Sequence, residues 1–400
     1  MNIAMISYHT CPLATQEGKE TGGMNVYVLE LSRALARLGH HVDVYTRSHE
    51  INDTPITAVE PNLRVMHLPA GPQEQIAKQK LMAYIPDFVR SYKKFSQDTP
   101  YDVTHAHYYQ SGLVCQSLGN PFIMSFHTLA LMKNLVARDP RERASAARIH
   151  AEFALMKRTS SIIASSERDK KYMEYLYDAP ERKISVISPG IDSALFHPID
   201  KNNARERIHA DPTHKIVLFV GRIEPLKGID TLLYAMKILK KQYPHESICL
   251  WIVGGDTSEP EARWPKTLRD LARLQKTLSL DSSVRFVGRQ TQEELPYYYN
   301  AANVVVMPSH YESFGMSALE AIGCGTPVIT TNVAGISGLI SDDYNSLVTS
   351  VNNPLLLASQ IQNILTESPR TPQIKTFVSN HQWSNVAKRM LLVYKFGTIR

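Results

Sequence analysis

The chain has 400 residues, 43% hydrophobic and 20% charged, an ordinary globular composition with enough length for two cores. Its formal net charge of +6 is mild, and the cations are scattered apart from short clusters such as RSYKKF and KILKKQ. That distribution fits a protein that handles anionic small molecules, or touches an acidic membrane surface, better than a dedicated nucleic-acid binder. In chain order, NIAMISY reads as a strand and NVYVLELSRALARLG as an amphipathic helix that Gly39 ends. HVDVYTR, LRVMHLP, DVTHAH, PFIMSFH, SSIIASS and KISVISP follow as strands between helical stretches. This alternation predicts a parallel, doubly wound α/β sheet. ISPGIDSALFHPID is a turn region, after which the alternation restarts through KIVLFVGR, ICLWIVGG, VRFVGR, VVVMPS, PVITTN and NSLVTS. Two Rossmann-like domains are therefore expected, residues 1–195 and 196–380, with the final helical stretch, about 381–400, returning to the first.

Cys11, Cys115, Cys249 and Cys324 form no C-x-x-C pair and no metal-ligand spacing, as expected of reduced thiols in a cytoplasmic protein. The first residues run straight into a strand without the pattern of a signal peptide, and no uncharged apolar run reaches 18 residues. Stable membrane insertion is not expected.

In a doubly wound domain the chemistry belongs just after the strands. TGGMNVYV places Gly22 and Gly23 before a helix N-terminus, where free N–H groups favour an anion, although a simple turn accounts for a lone GG equally well. His127 ends a strand in FHTLA. A single histidine is more often structural than catalytic, and its place at a strand end evens that balance. In FVGRIEPLKG, Arg222 and Lys227 follow a strand five residues apart, a natural clamp for a diphosphate. The stretch ESFGMSALE carries Glu312 and Glu320. If it is helical throughout, a rise of about 1.5 Å per residue sets them roughly 12 Å apart, wider than either glycosidase geometry. That separation, with an anion site at SFGM between the carboxylates, matches a nucleotide sugar: sugar hydroxyls, phosphates, ribose hydroxyls.

Together with GRIEPLKG and the GG loop, this E-x7-E element makes the chain resemble the retaining glycosyltransferases of family 4. The resemblance covers essentially the whole chain and implies the GT-B fold of two facing Rossmann-like domains with a cleft between them. It assigns Arg222 and Lys227 to the donor diphosphate, Glu320 to the ribose, Glu312 to the donor sugar, and the backbone of Phe314, Gly315 and Met316 to sugar and phosphate. It sets Gly23 under the β-phosphate and His127 near the reaction centre. The motifs YHTCPL, LPAGPQEQIAK, HYYQSG, SFHTLALMKN and AARIHAE are similar to the inositol-phosphate N-acetylglucosaminyltransferase branch. That similarity implies acceptor hydroxyls at Asn25 and an acceptor phosphate held by Lys78, Tyr108 or Tyr109, Thr128 and Arg148. Two cations and two hydroxyls suit a dianion.

The implied activity is retaining transfer from a UDP-sugar to a small phosphorylated polyol or sugar such as inositol phosphate. The leaving phosphate oxygen would help to deprotonate the acceptor, and cations rather than a metal would stabilise the diphosphate, since no D-x-D motif is present. No cofactor is implied beyond the co-substrate. Sucrose-phosphate synthases share the N-terminal pattern, so fructose 6-phosphate is an alternative acceptor; a lipid-linked or polysaccharide acceptor is another. A phosphorylase or epimerase on the same fold, and a non-catalytic sugar-nucleotide binder, are competing classes. The donor sugar, the anomer and the oligomeric state, a homodimer included, stay open.

Overall fold

The computed structural model describes residues 1–14, 22–50, 53–137, 139–333, 335–340, 347–366 and 374–397. Thr21, at the start of the TGG turn, lies outside them, as do the first two residues of NSLVTS. The chain divides into two compact units, Met1–Gly190 with Trp383–Arg400, and Ile191–Gln382.

Unit 1 holds strands β1 (Asn2–Ile6), β2 (His41–Arg47), β3 (Ile56–Glu60), β4 (Leu63–Leu68), β5 (Val103–His107), β6 (Ile123–Ser125), β7 (Ser161–Ala164) and β8 (Ile184–Val186). Its helices are α1 (Gly23–Arg37), α2 (Ile85–Phe95), α3 (Tyr109–Leu118), α4 (Ala130–Val136), α5 (Ala146–Arg158) and α6 (Glu167–Tyr177), joined by the C-terminal helix Trp383–Phe396. The sheet order is β3-β4-β2-β1-β5-β6-β7-β8. All pairings are parallel except β3 with β4.

The antiparallel edge is an addition to the expected parallel sheet, from a strand that is not among those expected from the sequence. Strand β3 has no fully buried residue, so it lacks the apolar run that marks the other strands. It turns into β4 through Pro61 and Asn62, the latter at φ 66°. Proline sets the first turn position and asparagine tolerates the left-handed second one.

Unit 2 holds β9 (Lys215–Val220), β10 (Ile248–Val253), β11 (Val284–Gly288), β12 (Val304–Met307), β13 (Val328–Thr331) and β14 (Leu347–Thr349), in the order β11-β10-β9-β12-β13-β14 with all pairings parallel. Its helices are α7 (Lys201–Arg207), α8 (Ile229–Gln242), α9 (Lys266–Thr277), α10 (Leu295–Ala301), α11 (Met316–Gly323), α12 (Pro354–Thr366) and α13 (Ile374–Asn380). Helices cover both faces of the sheet, so its central strands β9, β10 and β12 are nearly continuous apolar runs rather than alternating. In β9, Ile216, Leu218 and Val220 enter one core while Val217 and Phe219 enter the other. β12 divides in the same way, with Val305 and Met307 opposite Val304 and Val306. Each such side chain contributes about 1.5–3 kcal/mol on full burial.

In both units the strand order reverses beside the first strand, between β1 and β5 and between β9 and β12. Ligands of doubly wound sheets bind beyond the carboxyl ends of strands at that switch point. The segments that leave those ends are residues 7–11, 108–110, 221–228 and 308–316.

Candidate active site

In unit 1 the loop after β5 begins with Tyr108 at φ 75°, a left-handed conformation for a bulky residue. Tyr109 then opens α3, and the two rings meet edge to face at 4.8 Å. Lys78 places its ammonium 4.4 Å from the centre of the Tyr108 ring. The Arg148 guanidinium lies 4.9 Å from that ring and 5.2 Å from Tyr109. Arg148 also donates to the Thr128 carbonyl at 3.0 Å and to Thr128 Oγ1 at 3.3 Å. The structure thus brings Lys78, Tyr108, Tyr109, Thr128 and Arg148 into one cluster, with both tyrosines taking part.

The cluster is held by groups that the motifs did not reveal. Gln110 donates to the Lys78 carbonyl at 2.8 Å, and Tyr8 Oη donates to the Leu81 carbonyl at 2.8 Å, fixing the short helix Lys78–Tyr84. Glu152 is fully buried and accepts from Arg148 Nε at 2.7 Å, Tyr177 Oη at 2.6 Å and the Ala130 amide at 2.9 Å. One carboxylate therefore orients the arginine and anchors the start of α4, just beyond Thr128. Burial opposes the Arg148 charge, but Tyr108 and Glu152 outweigh it and hold the guanidinium above its ordinary pKa. Arg148 and Glu152 stand four positions apart on α5, a spacing visible in ARIHAE but indistinguishable there from a surface ion pair.

Among the described residues, acceptor-capable atoms near the cluster lack partners, Gln110 Oε1 and two others. Asn25, on α1, donates from Nδ2 to Thr10 Oγ1 at 2.8 Å and to the Cys11 carbonyl at 2.6 Å, which fixes the amide's orientation. Its Oδ1 is buried, and no described residue bonds it. His9 packs 4.5 Å from the Tyr108 ring, and its buried Nδ1 is likewise unbonded among the described residues. Burial and the nearby Lys78 keep the His9 imidazole neutral, with a pKa well below the usual histidine range. Buried polar atoms without partners are rare in folded proteins, and both of these belong to segments that leave strand ends or to the helix packed on them. Gly23 is the first residue of α1, after Gly22 at its N-cap.

His127 follows β6 with φ 61°. It does not join the cation cluster directly: its partners are His107, at 3.0 Å between Nε2 and Nδ1, and the edge of the Tyr27 ring, 5.0 Å between ring centres.

In unit 2 Arg222 leaves β9 and pairs with Glu224 at 2.8 Å. Lys227 ends the short helix Pro225–Lys227 and forms an ion pair with Glu312, both side chains less than a fifth exposed. Gly228 follows at φ 65°, and a Cβ there would lie 2.1 Å from the Pro308 carbonyl oxygen. Glycine thus lets the Lys227 turn press against the loop after β12, which is also tied by the His310 amide to the Leu226 carbonyl at 2.8 Å. Residues 85 positions apart meet by this route.

Gly315 caps α11 at φ 113°, Phe314 is buried, and Met316 opens the helix. Glu320, one turn further on, is buried and accepts from Tyr299 Oη at 2.7 Å. Burial pushes its carboxyl pKa up to about 7. The two glutamates of ESFGMSALE therefore occupy unlike environments, one paired with a cation and one desolvated beside a phenol. Among the described residues, no group of three or more His, Cys, Asp or Glu side chains is placed to hold a metal ion. All four cysteines are buried free thiols, and no described helix is long and apolar enough to cross a membrane.

Comparisons with known proteins agree with this architecture. Residues 21–195 match the family described as Glycosyltransferase Family 4, and residues 200–385 match Glycosyl transferases group 1. D-inositol 3-phosphate glycosyltransferases from Nocardiopsis dassonvillei and Corynebacterium efficiens are each 33% identical, over 99% and 100% of this chain and 94% and 96% of theirs. A sucrose-phosphate synthase structure from Thermosynechococcus elongatus superposes with a TM-score of 0.89 at 31% identity, covering 98% of both chains. The chain belongs to the family 4 glycosyltransferases, with the two α/β domains of the GT-B fold.

Proposed function

We propose that the chain transfers a hexosyl unit, with retention, from a UDP-sugar to a small phosphorylated polyol of the inositol phosphate type. One observation carries the acceptor: Lys78, Arg148, Tyr108, Tyr109 and Thr128 converge in unit 1. Two cations and hydroxyl donors suit a phosphate dianion. The unpaired Asn25 Oδ1 then accepts from a polyol hydroxyl. Unit 2 supplies the donor groups, with Arg222 and Lys227 for the diphosphate, Glu312 for the sugar, Glu320 for the ribose, and the Phe314–Met316 backbone. In unit 1, Gly23 and His127 are the residues read as phosphate and reaction-centre groups.

No side chain of the cluster is a nucleophile aimed at a sugar carbon. The protein's share is to orient the substrates and to stabilise charge on the departing diphosphate through Arg222 and Lys227, without a divalent ion at that diphosphate. The leaving phosphate oxygen takes the acceptor hydroxyl's proton as the new glycosidic bond forms on the face that it vacates.

The likeness to sucrose-phosphate synthase supports fructose 6-phosphate as a second acceptor reading. A UDP-release screen of several donors against inositol phosphate, fructose 6-phosphate and unphosphorylated sugars tests both. Release stimulated by inositol phosphate supports the first, and release stimulated only by fructose 6-phosphate supports the second. No stimulation by any phosphorylated acceptor discards the phosphate role of Lys78, Thr128 and Arg148.

A further inference from the structure

We propose that His107 is a positioning residue: a Met5–His107–His127 chain fixes His127 with its proton on Nε2 and leaves Nδ1 as a bare acceptor for a substrate hydroxyl. This rests on the reading of His127 as a site residue.

The derivation begins at sulfur. His107, at the end of β5, lies with Nε2 3.3 Å from Met5 Sδ, and a thioether carries no hydrogen and can only accept. Nε2 of His107 therefore holds the proton. Burial keeps His107 neutral, far below its ordinary pKa, so its Nδ1 has only a lone pair. That Nδ1 sits 3.0 Å from His127 Nε2, and the hydrogen of this bond must then come from His127. The reversed arrangement would turn two lone pairs, one on nitrogen and one on sulfur, toward each other in a dry interior. A buried acceptor left in that state favours the first arrangement by roughly tenfold or more.

The surroundings hold the geometry without competing for it. The rings of His107 and His127 stack at 5.3 Å, and Tyr27 meets both. The His105 ring lies tilted against His107 at 4.2 Å and bonds the hydroxyls of Ser125 and Tyr394. Hydroxyls donate or accept as required, so His105 places no constraint on the chain. No described residue bonds His127 Nδ1. The neutral ring thus accepts a hydrogen bond at Nδ1 and has no proton to give there, which suits a group that holds a sugar or polyol hydroxyl and excludes one that protonates it.

Two-bond 1H–15N correlation spectra of the full chain with 15N-labelled histidine read the tautomers directly. His107 and His127 are both expected as Nε2–H imidazoles, and a proton on His127 Nδ1 overturns the assignment. Asparagine can place its side-chain oxygen where His107 Nδ1 stood, so His107→Asn should keep the His127 signature and most of the turnover. His107→Leu should give a tautomer mixture at His127 and a kcat about tenfold lower, with KM little changed. An unaltered His127 signature in His107→Leu overturns the proposal. If the wild-type spectra are as expected but no donor and acceptor pair releases UDP, the transferase reading fails while the tautomer assignment stands.

Discussion

The charged groups of unit 1 and those of unit 2 are held in opposite ways. In unit 1, Arg148 is anchored by a fully buried carboxylate, and Lys78 rests on an aromatic face, while acceptors such as Asn25 Oδ1 lack partners among the described residues. In unit 2 the cations proposed for the diphosphate are already paired, Arg222 with Glu224 and Lys227 with Glu312. If the proposed sites hold, the first arrangement is preorganised for its ligand, and in the second a diphosphate has to displace the carboxylates that pair with the cations. Preorganisation lowers the cost of binding, whereas an internal ion pair lowers affinity by the attraction that the ligand has to replace.

The largest effect should come from the anchor in unit 1. Glu152→Gln keeps the shape but removes the charge that balances a buried guanidinium, which costs about 3–5 kcal/mol. Chemical denaturation should show that loss. Combining it with Arg148→Met should recover much of it, because the uncompensated charge is then gone. Equal losses in the single and double variants would show that Glu152 does not act through Arg148.

In unit 2, Lys227→Ala should leave the fold intact and lower the rate of UDP release by about 10²–10³, the usual cost of removing one group that stabilises developing charge. Near-wild-type turnover would remove Lys227 from the donor site. Circular dichroism and the unfolding midpoint separate this outcome from misfolding.

Glu320 links the comparison to pH. Its folded pKa of about 7 is raised from an ordinary 4.5, and burial is the main cause. A raised carboxyl pKa means that folding favours the protonated form. Its contribution is complete below about pH 4.5 and is lost as pH rises through 7. Glu320→Gln stays neutral, so it should stabilise the unliganded protein by up to about 3 kcal/mol at pH 8, and by under half of that at pH 5.5. Urea midpoints at the two pH values check this, and a pH-independent difference would show that the carboxylate is not desolvated.

How much of this was legible in the sequence follows from the physics of each feature. The strands of unit 2 stood out because both faces of its sheet are covered, which makes β9 and β12 continuous apolar runs. The edge strand β3 lacked such a run, and Pro61–Asn62 was its only signal. The cation cluster entered only through the family resemblance, since Lys78, the Tyr108–Tyr109 pair, Thr128 and Arg148 lie far apart in the chain and no local pattern joins them. Its support was not legible: a buried glutamate and a solvated one look alike in ARIHAE. ESFGMSALE likewise showed two carboxylates at a fixed spacing. That Glu312 would meet a lysine 85 positions away, and that Glu320 would meet Tyr299, depends on the close approach at Gly228 and on α10 packing by α11.

The smallest predicted effect bears most directly on the difference between the units. If the Lys227–Glu312 pair opposes donor binding, removing the carboxylate charge should strengthen UDP binding even as it harms the reaction. The pair is partly screened, with both side chains 17–19% exposed, so the competing attraction is about 1 kcal/mol. Glu312→Gln should therefore tighten UDP about fivefold in a calorimetric titration while turnover of the UDP-sugar falls, because the sugar loses the carboxylate proposed to hold it. The corresponding change in unit 1, Glu152→Gln, should weaken the phosphorylated acceptor, since there the carboxylate orients the cation instead of competing for it. Opposite signs for the two carboxylates would establish that one unit is built for its ligand in advance and the other exchanges partners on binding. The same sign in both would remove that distinction.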